Sequence, residues 1–144
     1  MIETALGTSI AFTAPHRLAT KTGFDILESG GTAVEAMVAA AAQIAVVYPH
    51  MNSIGGDGFW LIKKMGQKPV AISACGPAAE QATPDWYEKK GYKRFLPTRG
   101  PLAALTVPGT IAGWNLALEL DNPKRAIPLN ELLSAAVERA KNGV

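Results

Sequence analysis

The sequence predicts an α+β fold built in layers, and three observations lead there. Residues 36–47 form a helix-length run that is apolar around nearly its whole circumference. A glycine-rich turn, Gly55-Gly56-Asp57-Gly58, opens directly onto two strand-like segments. Helical patterns precede and follow that pair, with another short strand-like stretch between them. A helix with no polar face must be covered on several sides, and a layered fold supplies that cover.

Taken in order, residues 10–15 are short, apolar and rich in small side chains, as expected of a strand that ends at Pro15. From Leu18, the apolar positions Leu18, Phe24, Ile26 and Leu27 alternate with Thr20, Lys21, Asp25 and Glu28, which predicts an amphipathic helix. Gly30-Gly31 supplies its left-handed cap. Thr32-Ala33-Val34-Glu35 is a capping box: the Thr32 hydroxyl accepts from the Glu35 amide and the Glu35 carboxylate from the Thr32 amide. The apolar helix follows. Its four consecutive alanines, residues 39–42, permit close backbone approach, and Pro49 stops it.

Residues 59–64 and 69–75 read as an antiparallel pair turning at Gly66. Between Gly76 and Gly100 the prolines and glycines are dense enough to allow only short elements, such as a helical turn near residues 85–89. Residues 102–107 predict another strand, broken by Pro108-Gly109. Residues 111–120 predict a helix, and a last helix spans about residues 130–141 after Pro128.

Composition narrows the function classes. At 144 residues the chain has the length of one globular domain, and 48% hydrophobic against 18% charged residues is a balance that packs rather than stays disordered. The net charge of +2 is spread along the chain, and the densest basic stretch, Lys89, Lys90, Lys93 and Arg94, reads as a solvated loop, so no nucleic-acid partner is expected. The apolar run is too short to span a bilayer and carries Gln43, so no membrane partner is expected either. Met1-Ile2-Glu3-Thr4 lacks the pattern of a secretory leader, which points to a cytoplasmic location for the chain as given, or to a periplasmic or secreted one if a leader has been trimmed.

The single cysteine, Cys75, excludes an intramolecular disulfide. His16 and His50 have no Glu or Cys partners at ligand spacing, so neither a metal nor another cofactor is expected. The glycine run leads into a strand and not a helix, which favours a tight structural turn over a phosphate cradle, with Asp57 orienting it. Cys75 has no basic neighbour in sequence and reads as an inert strand cysteine that can line a pocket. Trp60, Trp86 and Trp114 read as core or boundary aromatics.

Several segments in register carry a family resemblance. Ile26-Leu27-Glu28 with Gly30-Gly31, Ala33-Val34-Glu35-Ala36, Val46-Val47-Tyr48-Pro49-His50, Ser53-Ile54-Gly55-Gly56-Asp57-Gly58-Phe59, Val107-Pro108-Gly109 and Ala112-Gly113 resemble the gamma-glutamyltransferase family over essentially the whole chain. Glu35 stands where the family often has Asp, and Asp57 where many members have Gly. The resemblance implies an N-terminal-nucleophile hydrolase with an αββα layered fold, made as one precursor and cut into two subunits. Residues 1–144 would be the N-terminal portion of the large-subunit region.

It further implies that an internal Thr becomes the N-terminal nucleophile of the small subunit, its own α-amino group serving as base. The family places that Thr far beyond position 144, and no Thr-Thr-His occurs here, so no catalytic residue is assigned in this chain and the chain alone is expected to be inactive. The implied partners are a small-molecule amide or gamma-glutamyl substrate and the remainder of the precursor. The family's Arg-Glu-Thr-Ala-Pro strand holds the substrate α-carboxylate with its Arg. Here Ser73-Ala74-Cys75-Gly76-Pro77 stands in that place, with Ser73 at the Arg position, and a hydroxyl cannot replace a bidentate guanidinium clamp.

Ser73 and Cys75 are therefore the candidate substrate-binding residues. A gamma-glutamyl substrate, a different small amide such as oxamate, and a non-catalytic binding or scaffold role are the readings left open. Truncation that bares the apolar helix would create a sticky patch, so the isolated chain is expected to associate.

Overall fold

The structure, a computed structural model, describes residues 6–104, 106–121 and 127–144. Met1-Ile2-Glu3-Thr4, on which the leader reading rests, and Leu105 of the predicted 102–107 strand lie outside the described residues. The chain divides into two compact units, Met1–Ile54 with Trp114–Val144, and Gly55–Gly113.

The first unit is helical. Helix α1 spans Arg17–Glu28 and α2 spans Ala33–Val47. Between them the chain makes a Schellman turn: Gly30, at φ +92°, donates to the Leu27 carbonyl, and Gly31 donates to that of Ile26 at 2.9 Å. The capping box forms as predicted, with the Glu35 amide 3.1 Å from Thr32 Oγ1 and the Thr32 amide 2.8 Å from Glu35 Oε2. Helix α2 is covered by residues of its own unit, and Ala36, Val38 and Ala39 are wholly buried. The small side chains bring α1 and α2 together, with Ala19, Ala40 and Ile44 packing beneath Phe12, Ala14 and Tyr48. Gly23 of α1 lies flat against the Phe12 ring, where a methyl group would overlap it.

The predicted strand at residues 10–15 forms no ladder, because strand pairing needs a neighbour and none is offered among the described residues. The segment instead buries Phe12 against α1 and α2. The helix predicted at 130–141 is two pieces, Leu129–Leu132 (α5) and Ser134–Asn142 (α6). The Ser134 hydroxyl donates back to the Glu131 carbonyl at 2.7 Å, competing with the helix ladder at the break. Leu118 and Leu132 complete the unit's core at 1% exposure each. Burying an aliphatic side chain of this size contributes about 1.5–3 kcal/mol.

The second unit is built on a hairpin, β1 (Gly58–Ile62) against β2 (Val70–Ala74), antiparallel, with Gly66 at φ +72° in the turn. A short helix, α3 (Pro84–Lys89), is capped by Thr83. The described residues of the predicted strand at 102–107 do not form one: Pro101–Ala103 is a single 3-10 turn, and among the described residues only Thr106 pairs, in an isolated bridge to Ala78. Pro101 lacks the amide a ladder requires and presets the turn's φ. Helix α4, Thr110–Asp121, begins in the second unit and continues into the first. No helix among the described residues is long and apolar enough to cross a membrane.

The expectation that α2 would be the bare apolar surface is corrected by this arrangement, since its own unit covers it. The hairpin, in contrast, carries bare apolar side chains close together, with Phe59 72%, Leu61 77% and Met65 99% exposed.

Candidate substrate-binding face

Strand alternation sorts the hairpin into two faces. Trp60, Ile72 and Ala74 turn inward, toward the first turn of α4, and Gly113 sits against Ala74 and the Trp60 indole. Phe59, Leu61, Ala71 and Ser73 turn outward, and Cys75 continues the exposed series just past the strand end. Register makes Phe59 the direct cross-strand partner of Ser73. Both sequence-assigned residues therefore stand on one open face, in company with two large apolar side chains.

Two motifs far apart in sequence frame that face. The Gly56 carbonyl accepts three bonds, from the Gly109 amide at 3.0 Å, the Thr110 amide at 3.1 Å and the Thr110 hydroxyl at 2.7 Å. The glycine turn thus presents a carbonyl acceptor to the amides that open α4. Asp57 tightens the same junction: its Oδ1 accepts from the Thr106 hydroxyl at 3.0 Å, 49 residues along the chain. Close backbone approach fixes the glycines. A methyl group on Gly76 would run into the Val107 carbonyl, and one on Gly109 into that of Ala74. The Ala74-Cys75-Gly76 segment after Ser73 therefore packs closely against the main chain of residues 107–109.

Cys75 is a free, exposed thiol. Among the described residues no group of three or more His, Cys, Asp or Glu side chains could hold a metal ion. His16 and His50 flank Tyr48, whose ring lies 4.2 Å from that of His50, and His16 Nδ1 caps α1 by accepting from the Leu18 amide at 3.2 Å. Sequence reasoning does not find that cap, because His is a rare capping residue. Trp114 is buried, Trp60 faces inward, and Trp86 is half-buried with Lys90 5.4 Å above its ring.

Sequence and structure comparisons extend these observations. The gamma-glutamyltranspeptidase family matches residues 19–144. The chain is 52% identical over 133 residues to an oxamate amidohydrolase proenzyme of Klebsiella pneumoniae, covering 91% of this chain and 25% of that protein. It is 37% identical over 144 residues to a glutathione hydrolase-like proenzyme of Bacillus subtilis, covering 99% of this chain and 26% of that protein. The crystal structure of Helicobacter pylori gamma-glutamyltranspeptidase superimposes with a TM-score of 0.84 at 33% identity, over 98% of this chain and 40% of that one. The chain thus spans about a quarter of the length of the two curated relatives. Its helices and hairpin are an α+β part of the N-terminal-nucleophile hydrolase αββα layered fold. With motifs, backbone junctions and relatives in agreement over most of its length, the chain belongs to the gamma-glutamyltranspeptidase family of amidohydrolases and transferases.

Proposed function

We propose that residues 1–144 are the N-terminal portion of the large-subunit region of a proenzyme that hydrolyses a short amidated acid of the oxamate type. The observation that carries this reading is Ser73, exposed on the outer hairpin face at the place of the family Arg. A gamma-glutamyl substrate presents its α-carboxylate three carbons from the scissile amide and needs a cationic clamp there. Oxamate carries its carboxylate directly on the amide carbon and needs none at that distance. A neutral hydroxyl in the clamp position suits the shorter molecule. The 52% identity to an oxamate amidohydrolase proenzyme supports the same choice.

The chemistry rests on a Thr outside this chain. Its hydroxyl attacks the amide carbon, its α-amino group takes the proton and passes it to the leaving nitrogen, ammonia departs, and water hydrolyses the resulting ester. This chain contributes a wall of the substrate site, with Ser73 and Cys75 lining it. By itself it is inactive. Its partner is the remainder of the precursor, and the bare apolar hairpin face bearing Phe59 and Leu61 is the surface that partner covers.

A glutathione-type reading has support in the 37% identity to the Bacillus subtilis glutathione hydrolase-like proenzyme, and it would require a carboxylate-holding Arg from outside residues 1–144. The test is Ser73→Arg in the full-length protein. Under the oxamate reading it lowers oxamate kcat/KM at least tenfold and raises turnover of a gamma-glutamyl anilide. Unchanged oxamate kinetics in a folded variant would remove Ser73 from the site.

A further inference from the structure

One carboxylate on the hairpin unit has a small part in holding the fold. The glycine turn is closed through the Gly56 carbonyl, which takes the amides of Gly109 and Thr110 and the Thr110 hydroxyl, and none of these bonds uses the Asp57 side chain. That side chain is exposed, and among the described residues it bonds only to another exposed group, the Thr106 hydroxyl, at 3.0 Å. A hydrogen bond open to water adds little stability, because solvent replaces it when it breaks. It does fix the direction of Oδ1.

Position gives this carboxylate a second use. Asp57 immediately precedes β1 and has the parity of Phe59 and Leu61, the outward positions. Phe59 pairs with Ser73 and Gly58 with Ala74, so Asp57 stands one step beyond the last pair, on the face that carries Ser73 and Cys75. Diagonal neighbours on one sheet face have Cβ atoms about 7–8 Å apart, a span that a small molecule can bridge. Ser73 offers a hydroxyl that can donate, whereas an ionised carboxylate only accepts. An amidated acid has the matching polarity: its acid end accepts and its amide nitrogen donates. The reverse orientation sets two carboxylates against each other.

We infer that Asp57 is a specificity-determining residue that accepts from the amide N–H which a primary amide has and an N-alkylated amide lacks. The inference rests on the substrate face proposed above and deepens it, assigning the enzyme to primary amides. An N-alkyl group placed there leaves the carboxylate desolvated and without its donor, the kind of mismatch that binding sites reject strongly.

The test is kcat/KM on the full-length, self-processed protein, with oxamate against N-methyloxamate and glutamine against its N-methyl gamma-amide. Wild type should favour the primary amide at least tenfold in whichever pair it turns over. Asp57→Ala should bring that ratio to within about threefold of one, chiefly by lowering the primary-amide value. Asp57→Asn keeps an acceptor oxygen without the charge and should fall between. A wild-type ratio near one, an equal loss for both members of a pair, or a ratio that Asp57→Ala leaves unmoved overturns the inference. If Asp57→Ala does not self-process, Asp57→Asn separates the same outcomes. The two readings fail separately: an Asp57-dependent preference seen with glutamine, without oxamate turnover, removes the oxamate assignment and keeps Asp57. Oxamate turnover with an unmoved ratio does the reverse, and turnover of neither pair overturns both.

Discussion

The two units solve the burial of apolar surface differently. The helical unit closes a core from its own residues, and even the nearly all-apolar α2 leaves only Met37 prominently exposed on its far side. The hairpin unit buries one face against the start of α4 and leaves the other bare, with Phe59 and Leu61 more than two-thirds exposed beside Ser73. Solvent-facing hairpin positions in a finished surface are polar. An apolar outer face therefore marks a surface built to be covered, and the candidate substrate residues lie on it. Under the proposed function, the self-contained unit supplies framework and the hairpin unit carries the candidate residues Ser73 and Cys75.

This contrast can be broken or sharpened by substitution. The largest effect is expected at Gly76→Ala, where the new methyl meets the Val107 carbonyl and main chain has to move. A loss of about 3 kcal/mol in urea unfolding is predicted, with the hairpin amides losing hydrogen-exchange protection first. Glu35→Ala comes next. It strips acceptors from the Thr32 and Ile127 amides, which Glu35 holds at 2.8 and 3.1 Å, and should cost about 2 kcal/mol, with protection lost in the helical unit and not in the hairpin.

Phe59→Ser with Leu61→Ser should change the stability of the isolated chain by no more than about 0.5 kcal/mol, because neither side chain is buried in it, yet should abolish concentration-dependent association on size exclusion. Association that persists would mean the sticky surface is elsewhere. Smallest is Lys21→Gln: its ion pair with Asp25 is 71% and 49% exposed, and the loss should stay below about 0.5 kcal/mol by thermal melting.

Local signals were legible in the sequence and distant ones were not. The Thr32–Glu35 capping box, the Gly30-Gly31 turn and the hairpin around Gly66 each depend on residues within a few positions of one another, and each forms as expected. The second oxygen of Glu35, which accepts from Ile127 92 residues away, has no local signature. The strands expected at 10–15 and 102–107 failed for the same reason, since apolar composition is local while pairing is not. At the site, Ser73 could be singled out from its position before the proline, but its neighbour Phe59 emerges only from strand register. The joining of Gly56 to Gly109 and Thr110 likewise needed the fold.

The central claim is that the uncharged clamp position selects a short amidated acid. Its most direct test is the ratio of kcat/KM for oxamate to that for a gamma-glutamyl anilide, measured on the full-length, self-processed protein. The account predicts a ratio of at least a hundred, about 2.7 kcal/mol of discrimination. A ratio below one would contradict it and return the enzyme to gamma-glutamyl chemistry.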